Sequence, residues 1–230
     1  MSWLPEDFFI GHPGPPEARP NRPLGQGDVF ADVPMAVRAA IKNGQLGASA
    51  KIEMVIVVSS SCGMRKDAGR LNDLVQVAPV KRLQSLADGW SEPWAGRYNV
   101  LPLPGLTIGD ARDPAAANLG RIGLCSADGL ATPARLASVS LAGMRALKCR
   151  LSMYFTRAVV GDWLFAVGAQ EEWHELDLWE RWTTRTGGED DFQGWLDEVN
   201  PNFPARTRRE TIYDDLVGIE QQLEQATERA

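Results

Sequence analysis

The chain has 230 residues, 44% of them hydrophobic and 23% charged, which suffices for a sizeable core and is ordinary for a globular protein. Its longest candidate membrane segment, 158–169, is short of the ~18 apolar residues a span requires and is interrupted by Asp162. The formal net charge of −6 is unevenly placed: residues 1–161 sum to about +5 and residues 162–230 to about −11.

That division lets an acidic back half fold onto its own basic front, or lets copies dock front to tail. The opening residues Met1–Asp7 lack the basic head and apolar stretch of a secretion signal, so a cytoplasmic location is expected. Cys62, Cys125 and Cys149 are odd in number and far apart, which argues against a disulfide framework.

Residues 1–23 read as an extended arm, because prolines 5, 13, 15, 16, 20 and 23 prevent regular structure. Trp3, Leu4, Phe8, Phe9 and Ile10 gain nothing in solvent, so the arm is expected to pack on the body or on a neighbour. A first strand spans 26–34, with Val29, Ala31 and Val33 on one face and Asp28, Phe30 and Asp32 on the other. Residues 35–50 fit either a helical turn or a strand, and Asn43-Gly44 is a hairpin signal.

Two β-branched runs follow, Met54–Val58 and Leu74–Val80. Gly, Ser and Asn bound them, the pattern of buried strands. Ser59-Ser60-Ser61-Cys62-Gly63 ends the first, and a basic loop, Arg65 to Arg70, leads to the second. Residues 87–96 are turn-rich and carry Trp90 and Trp94, and Tyr98–Pro104 reads as an edge strand because of its prolines. A loop is expected over 109–118, and the segments 121–125 and 130–138 close the β-rich part.

Ser140 can cap a helix over 141–158, whose apolar face is Leu141, Met144, Leu147, Leu151, Tyr154 and Phe155. Its other face carries Arg145, Lys148, Arg150 and Arg157. Acidic, Trp-rich helices are expected over 171–184 and 192–199. A last helix starts near Thr211, its seam of Ile212, Leu216, Ile219, Leu223 and Ala226 too short to hold a dimer alone and expected to dock on the body. The expected organisation is therefore α+β: an arm over 1–23, a barrel domain with a packed helix over 24–158, and an acidic helical region over 159–230.

The β-rich half resembles the MazF/PemK toxins. Gly27-Asp28-Val29-Phe30 resembles their opening strand, Val55-Ile56-Val57-Val58-Ser59 their "V-L-V-L-S" strand, and Val75-Gln76-Val77-Ala78-Pro79-Val80 their "V-x-V-A-P-I" strand. The likeness covers about residues 24–158 and implies an SH3-like barrel. The chain is also similar to bacterial and phage proteins with an early Gln-Gly-Asp and a later Ser-x-x-Cys-Asp. Gln26-Gly27-Asp28 and Ser59 to Cys62 fit that pattern, while Gly63 replaces its Asp.

In the toxins an Arg before one strand and a Thr or Ser after the other cleave RNA. Here those positions fall on Glu53 and Lys81. A carboxylate repels a phosphodiester and a charged ammonium accepts no proton, so ribonuclease activity is not carried over. Lys51 shares a strand face with Glu53 and is the one replacement cation in reach.

With only His12 and His174 and scattered cysteines, no metal site is expected, and no cofactor motif is present. Ser59 to Cys62 lacks the frame of a nucleophile turn. Lys51, Arg65, Lys66, Arg70, Lys81 and Arg82 flank the two central strands and form a candidate basic edge. Trp173, Trp179, Trp182 and Trp195 are the candidates for covering it from the tail or a neighbour, or else for building a second small core. The reading this supports is a non-catalytic binding or assembly module on a toxin-like barrel, of phage or bacterial origin, with a protein partner or self-association and RNA as a further candidate ligand. An endoribonuclease with relocated catalytic groups and a phage virion structural protein are the alternatives.

Overall fold

A computed structural model describes residues 7–11, 16–19, 21–42, 45–61, 63–66, 70–82, 99–106, 115–131, 133–156, 162–186 and 191–228. The chain is a mixed α+β structure, an N-terminal β-barrel with extra strands followed by a helical C-terminal part. Strands β1 (Val29–Lys42) and β2 (Gln45–Val57) pair from Val29↔Ile56 to Lys42↔Gln45, so 35–42 and 45–50 are strand. Asn43-Gly44 itself lies outside the described residues. β3 (Leu74–Arg82) pairs with β2, β4 is Val100–Leu103, β5 is Ala115–Asn118, and β6 is Gly123–Ser126.

β1 pairs with β6 at Ala36↔Leu124, and β6 pairs with β3 from Val77↔Gly123 to Leu74↔Ser126. The ring β2-β1-β6-β3 therefore closes on itself, which removes its edges. β3 continues into a second ladder with β5 and β4. That corrects the loop expected over 109–118, since 115–118 is strand β5. A short helix α1 (Asp128–Ala131) and strand β7 (Arg135–Ala137), paired with β1, complete the β-rich part.

The simple alternation expected over 26–34 does not hold. Val29, Phe30 and Val33 are all buried, as is Asp28. A register shift between Phe30 and Val33 carries Asp32 at φ 52°, and this bulge turns Phe30 inward. Inside the barrel Phe30, Val33, Met35, Val55, Val57, Val75, Val77 and Cys125 form one core. On part of its outer side Ile56, Ala78 and Val80 pack under helix α2 (Leu141–Thr156) through Met144 and Leu147.

The arm joins this second core. Phe8 and Phe9 are buried in it, Phe9 bridges to Val139, and the Ile10 amide donates to Ser138 O at 3.0 Å. Trp3 and Leu4 lie outside the described residues. Ser140 caps α2 as expected, its Oγ accepting from Gly143 N at 3.0 Å. Arg150, placed on the outer face by spacing, is instead buried and donates to Val100 O at 2.8 Å. Phe155, expected on the apolar face, is exposed.

Helix α3 (Asp162–Thr186) is longer than the spacing predicted. Helix α4 (Phe192–Asp197) ends early, which leaves Val199 exposed in the short strand β8 (Val199–Asn200), paired with β9 (Phe203–Thr207). The last helix comes in two pieces, α5 (Arg208–Thr211) and α6 (Leu216–Thr227). Ile212, Ile219 and Leu223 of the expected seam are buried against Trp179, Trp182, Phe192 and Trp195, a third core.

Candidate functional site

The register of β2 with β3 runs Val57↔Val77, Ile56↔Ala78, Val55↔Pro79. Two residues further along each strand it sets Glu53 opposite Lys81, and their side chains close an ion pair at 3.5 Å. The carboxylate is mostly covered while the ammonium is half-exposed. At the place where the resemblance puts a guanidinium and a hydroxyl there is thus a self-neutralised pair, with Lys51 and Arg82 exposed beside it.

The other basic candidates sit elsewhere. Lys66 pairs with Asp73 at 3.0 Å, just before β3 begins, and Arg70 is exposed on the same turn. Lys66 precedes the nine-residue β3 and Lys81 lies near its far end, about 23 Å from Leu74 at the rise of an extended strand. Lys51, Lys81 and Arg82 thus stand about the C-terminal end of β3, while Arg65, Lys66 and Arg70 precede its N-terminal end.

Arg65 is part of the framework. Its Nη1 donates to Ser61 O at 3.1 Å and its Nη2 to Leu24 O at 2.6 Å, and its guanidinium lies 4.7 Å from the Trp179 ring centre. Tail and barrel therefore meet at one of the expected cations. Trp173 lies under the guanidinium of Arg22 at 5.1 Å. Trp179, Trp182 and Trp195 build the third core around Phe192, and of these Trp179 also meets one of the expected cations, Arg65.

Gln26-Gly27-Asp28 is a structural turn. Gly27 has φ +89°, where a Cβ would also overlap Val139, so only glycine fits. Gln26 Nε2 donates to Val58 O at 2.7 Å. Asp28 accepts from Gly25 N at 2.9 Å and lies 3.6 Å from Arg135 Nε. Burial pushes the Asp28 carboxyl above its ordinary range, with Arg135 opposing. Behind the turn Arg19 and Arg22 of the arm reach Glu180 of α3 at 2.8 and 3.6 Å, contacts between distant segments that no local signal in the sequence announces.

Burial drives the Cys125 thiol up to about 11, which leaves it un-ionised at neutral pH. Cys62 and His12 lie outside the described residues. Among the described residues no three His, Cys, Asp or Glu side chains converge as metal ligands, and no helix is long and apolar enough to cross a membrane.

A surface that the sequence reading did not single out is the part of the outer barrel face that α2 leaves uncovered. Directly paired residues share a face, so Pro34↔Ile52, Ala36↔Ala50, Ala36↔Leu124, Gln76↔Leu124 and Leu74↔Ser126 join four strands into one surface. Ile52, Leu74 and Leu124 are 72%, 57% and 40% exposed there. None of these eight residues is charged. Compared with known families and curated proteins, the chain matches no family model and no relative.

Proposed function

We propose that the protein is a non-catalytic assembly module on a MazF/PemK-like, SH3-like barrel, of phage or bacterial origin, in which two copies associate through the uncovered barrel face. The closed antiparallel barrel is compatible with that family's fold. The Glu53–Lys81 pair supports the non-catalytic half of the reading. The pair is neutral in itself, and it holds Lys81, which stands at the hydroxyl position, in an ion pair.

The observation that carries the assembly half is the exposed, uncharged surface around Ile52, Leu74 and Leu124. A twofold interface sets a patch against itself. The basic front and the acidic tail would each repel their own copy, whereas the eight residues of this face bring no charge to such a contact. Four strands about 4.8 Å apart, with two outward residues each, give at most roughly 300 Å² per copy, and less of it meets a mate at once because the strands belong to a closed ring. That is below the ~800 Å² per partner of a standard interface, so the association is weak, micromolar or weaker.

Sedimentation velocity over a wide concentration range tests this. The weight-average mass of the wild type is expected to rise with concentration, while Ile52→Glu and Leu124→Glu stay monomeric with unchanged circular dichroism. A wild type that remains a monomer at the highest concentrations overturns the reading.

A further inference from the structure

The turn after β2 is hydrogen-bonded almost throughout. Ser59 Oγ accepts from Gln76 N at 2.9 Å, Ser60 O from Met64 N at 3.0 Å and Ser60 Oγ from Gly63 N at 3.1 Å. Ser61 is different. Its amide donates not to the barrel but to Glu172 Oε1 of α3, at 2.5 Å and 111 residues away. The second oxygen, Oε2, takes the ammonium of Lys148 from α2. Glu172 is buried, so a carboxylate lies out of solvent between a loop amide and a cation.

The donors exceed what that carboxylate uses. Ser61 Oγ is buried and has no hydrogen-bond partner among the described residues. Covalent geometry holds it within about 4 Å of its own amide nitrogen, the atom that donates to the carboxylate. A buried hydroxyl left unpaired is costly and calls for an explanation. A second cation, Arg65, sits on the carbonyl of the same residue. Amide, hydroxyl and ammonium are three donors. Glu172 takes the amide on one oxygen and the ammonium on the other and leaves the hydroxyl unused, whereas a phosphoryl group brings a third oxygen.

We propose that the Ser61 amide, the Ser61 hydroxyl and Lys148 form a phosphoryl-binding site on the barrel domain, and that Glu172 fills it from within the chain. Helix α3 then acts as a built-in competitor, and the site opens when α3 moves or when a ligand displaces the carboxylate. This site is separate from the uncharged face and stands whether or not the protein self-associates.

Glu172→Ala empties the site while leaving all three donors. Tens of millimolar inorganic phosphate are expected to raise its melting midpoint by about 3 °C, with chloride or acetate at equal ionic strength giving less than a third of that. The wild type is expected to shift by less than 1 °C (about the error of a melting scan). Adding Ser61→Ala to Glu172→Ala reduces the phosphate effect at least about tenfold in affinity, the worth of one charge-assisted hydrogen bond. Equal stabilisation by phosphate and acetate, or none by either, overturns the proposal.

Should Glu172→Ala fold poorly, refolding yield reads the same thing. Selective recovery in phosphate over chloride supports the site, and equal recovery in both rejects it. A short single-stranded RNA distinguishes the source of the group. Binding that inorganic phosphate competes away assigns a phosphodiester, and phosphate binding without RNA binding assigns a free or terminal phosphate.

Discussion

Glu53 and Lys81 face each other across β2 and β3 with carboxylate and ammonium 3.5 Å apart. Because Lys81 is half in solvent, the pair belongs with surface ion pairs, worth less than about 1 kcal/mol. Glu53→Gln is therefore expected to move the urea midpoint only slightly. Single-stranded RNA incubated with the full chain should stay intact. Cleavage that Lys51→Ala or Lys81→Ala abolishes would return the ribonuclease reading.

Arg65 and Lys66 are neighbours in the sequence with different environments. Arg65→Ala leaves the carbonyls of Ser61 and Leu24 without their donor and removes the cation above Trp179, so a loss of about 2–3 kcal/mol is expected. Lys66→Ala removes one exposed pair and should cost within about 0.5 kcal/mol. Chemical denaturation of both variants checks the contrast. Similar effects would mean that Arg65 is only another surface cation.

Gly143 sets local propensity against packing. Ala in a helix interior is ordinarily favoured over Gly by about 1 kcal/mol. A Cβ here, however, would overlap the Phe8 carbonyl, where the arm crosses α2. Gly143→Ala is therefore expected to destabilise the protein and to loosen the arm, read as faster limited proteolysis near its N-terminus. Phe8→Ala should cost about 3–5 kcal/mol by cavity formation in the same core. If Gly143→Ala is stabilising, the arm does not hold this position in solution.

Those contacts mark what the sequence made legible. The β-branched runs around Val57 and Val77, the Ser140 cap, and Met144 and Leu147 of the α2 stripe are local patterns, and each lies where its spacing placed it. The failures are long-range. Arg150 reads as outward by helical period, yet it is buried and donates to the Val100 carbonyl of β4. Phe30 faces inward because of a one-residue bulge at Asp32. The outer face of Ile52 and Leu74 looks like any buried strand, since apolar residues fill both phases whether or not a helix covers them. Ser61 and Glu172 are 111 residues apart, and no periodicity connects them.

Asp28 makes stability depend on pH in an uncommon direction. Its carboxyl is buried, and desolvation holds its folded-state pKa above the unfolded value, Arg135 opposing in part. The folded chain consequently binds this proton more tightly than the unfolded chain does. Its contribution is complete below the ordinary carboxylate pKa and is lost as pH rises through the elevated folded value. Asp28→Asn cannot ionise. Urea midpoints measured from acid to neutral pH should show wild-type stability falling relative to Asp28→Asn across that window, on top of a pH-independent offset from the altered contact with Arg135. A difference between the two proteins that stays flat, or that changes in favour of the wild type with rising pH, would mean that the Arg135 guanidinium outweighs burial at this position.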